Sequence, residues 1–174
     1  MKILVVDDNP ENIEDARKQL VGYNVDYCNG EKSFWELSYT ALHSGKRAGK
    51  TEWAYDVVLT DLIMPAGKYN DIIDDTASEF EGVLMGSGLA IAFMAIAAGS
   101  KYVGVVSLNE HHLHPIGTLV EGITYHNEDE PNGKFFFNIN GGKIVFMGWN
   151  VVGKDVEKKR KNWKNSLDVL LGCQ

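Results

Sequence analysis

The sequence predicts an α/β protein in which helices cover both faces of a doubly wound parallel sheet. Three short apolar runs, rich in β-branched residues, carry this prediction: Lys2–Val6, Tyr55–Thr60 and Tyr102–Ser107. Uninterrupted apolar runs of this length are typical of parallel strands that are buried on both faces. Segments with apolar residues at helical spacing separate the runs, which is the pattern of successive βαβ units.

Length and composition favour one folded domain spanning residues 1–174. Hydrophobic residues make up 44% of the chain and charged residues 24%, the balance of a globular protein. The longest apolar run, Leu89–Ala98, is much shorter than the roughly 20 residues that cross a bilayer. No secretion signal is recognisable, so we expect a cytoplasmic protein with no membrane partner. A net charge of -7 makes nucleic acid an unfavourable partner.

The first half of the chain predicts two strand and helix pairs before the central strand. Asn9 and Pro10 form a helix-start signal after the first strand, and Gly22 is placed to end that helix. Tyr23–Cys28 has the composition of a second strand, and Ser33–His43 has apolar residues at helical spacing. The third strand then ends directly at Asp61.

The second half predicts an irregular excursion, further helices and a hairpin. Residues 66–85 are polar, acidic and poorly periodic, which indicates a mobile excursion before a helix from about Gly88 to Ala98. A short helix is predicted near Ile116–Gly122. The Asn-Gly-Gly turn at residues 140–142 separates two apolar runs, 135–139 and 143–147, and predicts a β-hairpin. Apolar residues near the end of the chain mark one face of an amphipathic helix.

Acidic residues follow two of the predicted strands. Asp7 and Asp8 come after the first strand, and Asp61 comes after the third. Because parallel strands end at one edge of the sheet, these carboxylates should converge there. Like charges that close repel one another unless a cation compensates them. Oxygen ligands suit a hard ion, so the sequence predicts a Mg²⁺ site that could also assist phosphoryl transfer to a carboxylate.

Two motifs in this sequence resemble the receiver domain of two-component response regulators. ILVVDDNP, residues 3–10, resembles the first-strand motif of that family, and YDVVLTDLIMP, residues 55–65, resembles the third-strand motif. The resemblance implies a flavodoxin-like fold, a five-stranded parallel sheet in the order 2-1-3-4-5. Relative to a typical receiver, this chain carries insertions at about residues 66–87 and 123–142.

The resemblance also implies roles for individual residues and for partners. Asp61 would accept the phosphoryl group, and Ser107 would turn its hydroxyl toward that group on activation. Mg²⁺ would be held by Asp7, Asp8, Asp61 and the backbone carbonyl of Ile63. A histidine kinase or a phosphotransfer protein would supply the phosphoryl group, and the phosphorylated domain would signal to a downstream protein.

The sequence departs from the receiver pattern after the fifth predicted strand. Receivers carry a lysine where that strand ends, whereas this chain has Gly148 and Trp149 there. Lys154, in the loop that follows, is the predicted substitute and Lys143 lies too early in the strand. A domain without that lysine could instead be a pseudo-receiver that acts as a constitutive interaction module. A second alternative is a phosphohydrolase that forms an aspartyl-phosphate intermediate, although such enzymes carry an acid where Ile63 stands.

Two other clusters have a functional and a structural interpretation. His111, His112 and His114 could bind a transition metal, although a solvated loop is the favoured interpretation because no cysteine or HExxH pattern accompanies them. The basic run Glu157–Lys164 could bind nucleic acid, but the solvated face of the last helix is favoured.

Overall fold

The computed structural model describes residues 1–38, 53–66, 82–107, 114–119, 134–148 and 160–172. In these residues the strands are β1 (Lys2–Asp7), β2 (Asn24–Asn29), β3 (Val57–Asp61), β4 (Met64–Pro65), β5 (Leu84–Met85), β6 (Tyr102–Val106), β7 (Lys134–Ile139) and β8 (Gly142–Met147). The helices are α1 (Pro10–Gln19), α2 (30–38), α3 (Ser87–Ala98), α4 (115–119) and α5 (Trp163–Leu171).

Within the described residues, six strands form the main sheet, in the order β2-β1-β3-β6-β8-β7. The first five of these are parallel to one another, and β7 pairs antiparallel with β8 at the edge. Numbered among themselves along the chain, the parallel strands have the order 2-1-3-4-5, which is the flavodoxin-like order. The predicted flavodoxin-like strand order is thus confirmed, and the first arm of the predicted hairpin adds a sixth strand.

Helices pack on both faces of this sheet, as predicted. Alternate strand residues on one face contact α2 and α3, and those on the other face contact α1 and α5. Phe34 of α2 is completely buried on the first face, and Trp163 of α5 is completely buried on the second. Each fully buried aromatic or aliphatic side chain stabilises the fold by about 1.5–3 kcal/mol relative to an exposed one, so these two layers supply most of the driving force for folding.

A turn with two left-handed residues connects β7 to β8. Asn140 has a φ of 50° and Gly141 a φ of 79°, the conformation that an Asn-Gly pair adopts most readily in a two-residue hairpin turn. The strands on either side pair from Ile139 with Gly142 to Lys134 with Met147. The hairpin predicted from the sequence is therefore present in the structure, with each strand one residue longer at one end.

A short antiparallel ladder closes the base of the first predicted insertion. β4 pairs with β5, and the Ala66 N–H donates to the carbonyl of Val83 at 2.9 Å. The Gly82 N–H donates to the carbonyl of Ala66 at 3.0 Å. The two segments that flank the insertion are thus hydrogen-bonded to each other where the chain leaves the sheet edge and returns to it. Residues 67–81 of the predicted mobile excursion lie outside the described residues.

The first turn of α3 lies directly on the backbone that follows β3. The Gly88 N–H donates to the carbonyl of Leu62 at 3.1 Å. A Cβ atom at Gly88 would lie 1.9 Å from the carbonyl oxygen of Asp61 and 2.8 Å from the Cα of Leu62. Neither backbone atom can move aside without shifting β3, so this close approach requires glycine.

No helix in the described part of the chain is both long enough and apolar enough to cross a membrane.

Replacing Gly88 with alanine tests this close approach. Alanine has the higher helix propensity, by about 1 kcal/mol, but the overpacking against backbone should cost about 1–3 kcal/mol. We therefore expect Gly88→Ala to lower the free energy of unfolding in urea. Ala90→Gly, at an exposed position in the same helix, is the control and should lose only the propensity difference. A Gly88→Ala variant more stable than the wild type would contradict the described packing.

Candidate functional site

Three carboxylates meet at the carboxyl edge of the sheet. β1 and β3 are parallel neighbours in a register that pairs Val6 with Thr60, so the residues that follow, Asp7 and Asp61, reach the same edge. Asp8 continues from β1 into the turn before α1. One carboxylate oxygen from each of Asp7, Asp8 and Asp61 lies within 4.8 Å of the others. The predicted convergence of these acids is confirmed.

A buried ammonium group lies between two of these acids. The Nζ of Lys161 is 2.6 Å from the Oδ2 of Asp7 and 2.7 Å from the Oδ1 of Asp61. The lysine side chain is 2% exposed, and those of the two partners are 0% and 12% exposed. These are charge-assisted hydrogen bonds in a region that contains little water, so each charge depends on the others for compensation. We call Asp7, Asp8, Asp61 and Lys161 the acid pocket.

Helix α1 fixes the orientation of Asp7. The side-chain amide of Asn12 donates to both carboxylate oxygens of Asp7, at 3.1 Å each, and the Asn9 N–H donates to Oδ1 at 2.8 Å. Asn9 also caps α1, because its side chain accepts from the Glu11 N–H. One end of α1 therefore holds an acid of the pocket in place.

The electrostatics of the pocket raise the pKa values of three of its members. Burial raises the pKa of Asp61 to about 6, with Asp7 adding to the effect and Lys161 opposing it. Burial, followed by repulsion from Asp7, raises the pKa of Asp8. Burial alone would lower the pKa of Lys161, but the carboxylates of Asp61 and Asp7 raise it above its ordinary value. The lysine thus stays charged, and the acids are under electrostatic strain.

The donor set of the acid pocket fits a divalent cation. Its metal-ligating atoms are carboxylate oxygens, which hard cations prefer. Two oxygens bound to one Mg²⁺ lie at most about 4.2 Å apart. The three carboxylate oxygens lie within 4.8 Å of one another, so they would move slightly closer together around the ion or bind it partly through water. Three ionised acids and one ammonium leave a formal charge of -2, which a divalent ion would balance.

The other predicted site residues fall at this edge or outside the described chain. Ser107 follows β6 directly, one residue beyond the register partner of Asp61, and its N–H donates to the carbonyl of Met147 at 3.0 Å. Ile63 lies two residues beyond Asp61 with its side chain buried. The roles of the Ser107 hydroxyl and the Ile63 carbonyl stay predictions. Lys154 lies outside the described residues.

Sequence reasoning missed Lys161, which it placed on a solvated helical face. Residues 160–162 are not helical, α5 begins at Trp163, and Lys161 is buried in the acid pocket. The solvated-face interpretation of residues 157–164 is therefore wrong at this position. A signal was present: Asn162 is a helix-capping residue before the apolar Trp163. A residue just before the last helix of this fold lies near the carboxyl edge, where the acids converge.

His114 has a structural role in the described part of the chain. Its Nδ1 accepts from the Ile116 N–H at 3.2 Å, so its Nε2 carries the proton and donates to the carbonyl of Leu84 at 3.1 Å. Both ring nitrogens are thus engaged in linking α4 to β5, which leaves neither for a metal. His111 and His112 lie outside the described residues.

Comparisons with known proteins give a distant likeness to a solved structure. No protein-family model and no curated protein matches the sequence. Among solved structures, the chain is similar to a mutant of the receiver domain of the histidine kinase CKI1 from Arabidopsis thaliana. The two are 18% identical, the alignment covers 86% of this chain and 81% of that chain, and the TM-score is 0.43. A likeness at this level assigns no role to individual residues.

Removing the lysine of the acid pocket should destabilise the protein strongly. Lys161→Met leaves Asp7 and Asp61 buried without their ammonium partner, a change that costs about 3–5 kcal/mol for a buried ion pair. Lys164→Met is the control on the same segment, where loss of the partly exposed pair with Asp168 should cost about 0.3–0.5 kcal/mol. Urea unfolding without divalent cations measures both. Equal losses in the two variants would refute the buried position of Lys161.

The raised pKa of Asp61 predicts a pH dependence of stability. The pKa of this carboxyl rises from its ordinary value of 3.8 to about 6 in the fold, so between these pH values the folded state binds a proton more tightly than the unfolded state does. Protonation of Asp61 therefore stabilises the folded state fully below pH 3.8, and this stabilisation is lost as the pH rises through about 6. We expect Asp61→Asn to remove this loss, measured by urea unfolding without divalent cations. The control, Glu14→Gln on the exposed face of α1, should keep the wild-type profile. Identical profiles for Asp61→Asn and the wild type would contradict the prediction.

Proposed function

We propose that this chain is a response-regulator receiver that accepts a phosphoryl group on Asp61 with Mg²⁺ as cofactor. The observation that carries the proposal is the acid pocket itself, in which Lys161 bridges Asp7 and Asp61 at the carboxyl edge of the sheet. The pocket combines an acceptor carboxylate, an oxygen ligand set for a divalent ion and a fixed positive charge. Phosphoryl acceptance by a carboxylate requires these three features together.

Each residue of the pocket has a distinct part in the proposed reaction. A carboxylate oxygen of Asp61 attacks phosphorus and forms the new P–O bond, while the bond between phosphorus and the donor breaks and its electron pair leaves with the donor. Asp7, Asp8 and Asp61, with the Ile63 carbonyl, would hold Mg²⁺. When bound, Mg²⁺ supplies positive charge that offsets the charge on the phosphoryl oxygens. Lys161 supplies a second positive charge beside Asp61.

Phosphorylation would switch a protein-interaction surface. The phosphoryl group adds negative charge beside Lys161 at the end of β3, and Ser107, at the end of the neighbouring β6, would turn toward it. Movement of the Lys161 and Ser107 side chains would then shift the population of surface conformations. The phosphoryl donor would be a histidine kinase or a phosphotransfer protein, and the reader a downstream protein.

The alternative functions have less support from the pocket. The pseudo-receiver alternative depended on the lack of a lysine near the acids, whereas the ammonium of Lys161 contacts Asp61. In the proposed mechanism Lys161 takes the role that was predicted for Lys154. A phosphohydrolase would carry an acid two residues after its nucleophilic aspartate. That position is Ile63, whose side chain is apolar and buried.

Incubation with acetyl phosphate and Mg²⁺ tests the proposal. We expect intact-protein mass spectrometry to detect one added phosphoryl group on the wild type, because acetate is a good leaving group and Asp61 is the acceptor. The adduct should disappear in Asp61→Asn and when Mg²⁺ is chelated. The matched control is Asp56→Asn, which replaces a partly exposed aspartate just before the same strand and should leave phosphorylation unchanged.

Two results would overturn the proposal. One is a wild-type protein that gains no phosphoryl group under these conditions. The other is an adduct that persists in Asp61→Asn. The first result together with unchanged binding of a partner protein would support the pseudo-receiver, and turnover of a phosphate ester lost in Asp61→Asn would support the phosphohydrolase.

A further inference from the structure

The side-chain amide of Gln19 holds the segment that carries Lys161. Its Nε2 donates to the backbone carbonyl of Lys161 at 3.0 Å, and its Oε1 accepts from the N–H of Lys164 at 3.3 Å. Gln19 is the last residue of α1, so its amide connects the end of one helix to the start of another. A single side chain thus spans the turn in which Lys161 enters the acid pocket.

Contacts on either side of Lys161 add to this attachment. The guanidinium of Arg160 pairs with the Asp15 carboxylate at 2.9 Å, one residue before the lysine. The indole N–H of Trp163 donates to the backbone carbonyl of Asn12 at 2.9 Å, two residues after it. All three attachments therefore end on α1, the helix whose Asn12 side chain also orients Asp7.

The attachment matters because Lys161 does not belong to a strand. Asp7 and Asp61 are fixed by the hydrogen bonds of the main sheet, whereas Lys161 lies in a non-helical turn between residues 160 and 162. Its ammonium must nevertheless reach both carboxylates, at 2.6 and 2.7 Å. Misplacing a catalytic charge by about 1 Å can cost about 100-fold in rate. The hydrogen bond to the Lys161 carbonyl fixes the point from which the side chain extends.

We infer that Gln19 is a positioning residue for Lys161 and that it acts on phosphoryl acceptance only through that lysine. The inference rests on the proposed function for its kinetic consequence, but the contact between Gln19 and the Lys161 backbone stands independently. Gln19 has no part in the acid pocket itself. Its removal should therefore change how often Lys161 occupies the pocket and leave the carboxylates in place.

A double-mutant cycle tests the inference. Gln19→Met removes both hydrogen bonds and keeps a side chain of similar length. Because a hydrogen bond contributes about 1 kcal/mol, we expect a maximal rate of phosphorylation by acetyl phosphate that is about fivefold lower. In the Lys161→Met background, the same substitution should have no further effect. Lys18→Met introduces the same side chain at the neighbouring position of α1, where the lysine pairs with Glu14 toward solvent, and should react like the wild type.

Mg²⁺ binding separates positioning from general damage to the fold. The ammonium of Lys161 contacts the same carboxylates that would bind Mg²⁺, so loosening it should leave the affinity measured by isothermal titration equal or higher. A variant that is merely distorted would bind Mg²⁺ more weakly. The inference is overturned by a Gln19→Met rate equal to that of Lys18→Met, by rate losses that multiply in the double variant, or by weaker Mg²⁺ binding.

A second measurement keeps the inference testable if the protein proves not to be phosphorylated. A buried, ion-paired ammonium exchanges its protons slowly, so the Nζ of Lys161, assigned through its own side-chain carbons, should give a protected NMR signal in the wild type. We expect Gln19→Met to lose this protection and Lys18→Met to retain it. Protection retained in Gln19→Met would refute the positioning role whatever the phosphorylation result, whereas lost protection without phosphorylation would refute only the proposed function.

Discussion

The ammonium of Lys161 is the interaction on which the acid pocket depends. Asp7 and Asp61 end parallel strands whose pairing forces their carboxylates together, and the sheet gives them no freedom to separate. A buried positive charge makes this arrangement tolerable, and the hydrogen bonds around it keep the charge in place. The same constraint defines the chemistry: a pocket that already holds one cation between its acids, and still carries negative charge, is suited to a second, divalent one.

Helix α1 connects the two halves of this arrangement. At its beginning, Asn12 orients Asp7, and at its end Gln19 holds the turn that carries Lys161. The helix packs on the sheet face that it shares with α5, where Trp163 is completely buried. One helix therefore sets the positions of both Asp7 in β1 and Lys161 before α5, although more than 150 residues separate them in sequence.

The sequence was sufficient to predict most of the fold and three of the four residues of the acid pocket. Buried strands are recognisable from uninterrupted apolar runs, and the edge of a parallel sheet where they end follows from topology, so Asp7, Asp8 and Asp61 could be placed together. Lys161 could not be found in the same way, because it follows no strand and its basic neighbours are typical of a solvated helix. Its segment is held by tertiary contacts, of Gln19 with the Lys161 carbonyl and of Trp163 with Asn12, that leave no periodic signal in the sequence.

The antiparallel ladder of β4 and β5 has a consequence for how this domain can vary. Ala66 and Gly82 are joined by a hydrogen bond where the chain leaves the sheet edge and comes back to it. Beyond that junction, added length costs little closure entropy, only about 0.6 kcal/mol for each doubling. Foreign sequence could therefore be grafted between these residues, or the native stretch shortened, while the carboxylates of the acid pocket keep their geometry. The junction therefore makes this domain a suitable scaffold for exchanging the inserted sequence without rebuilding the acid pocket.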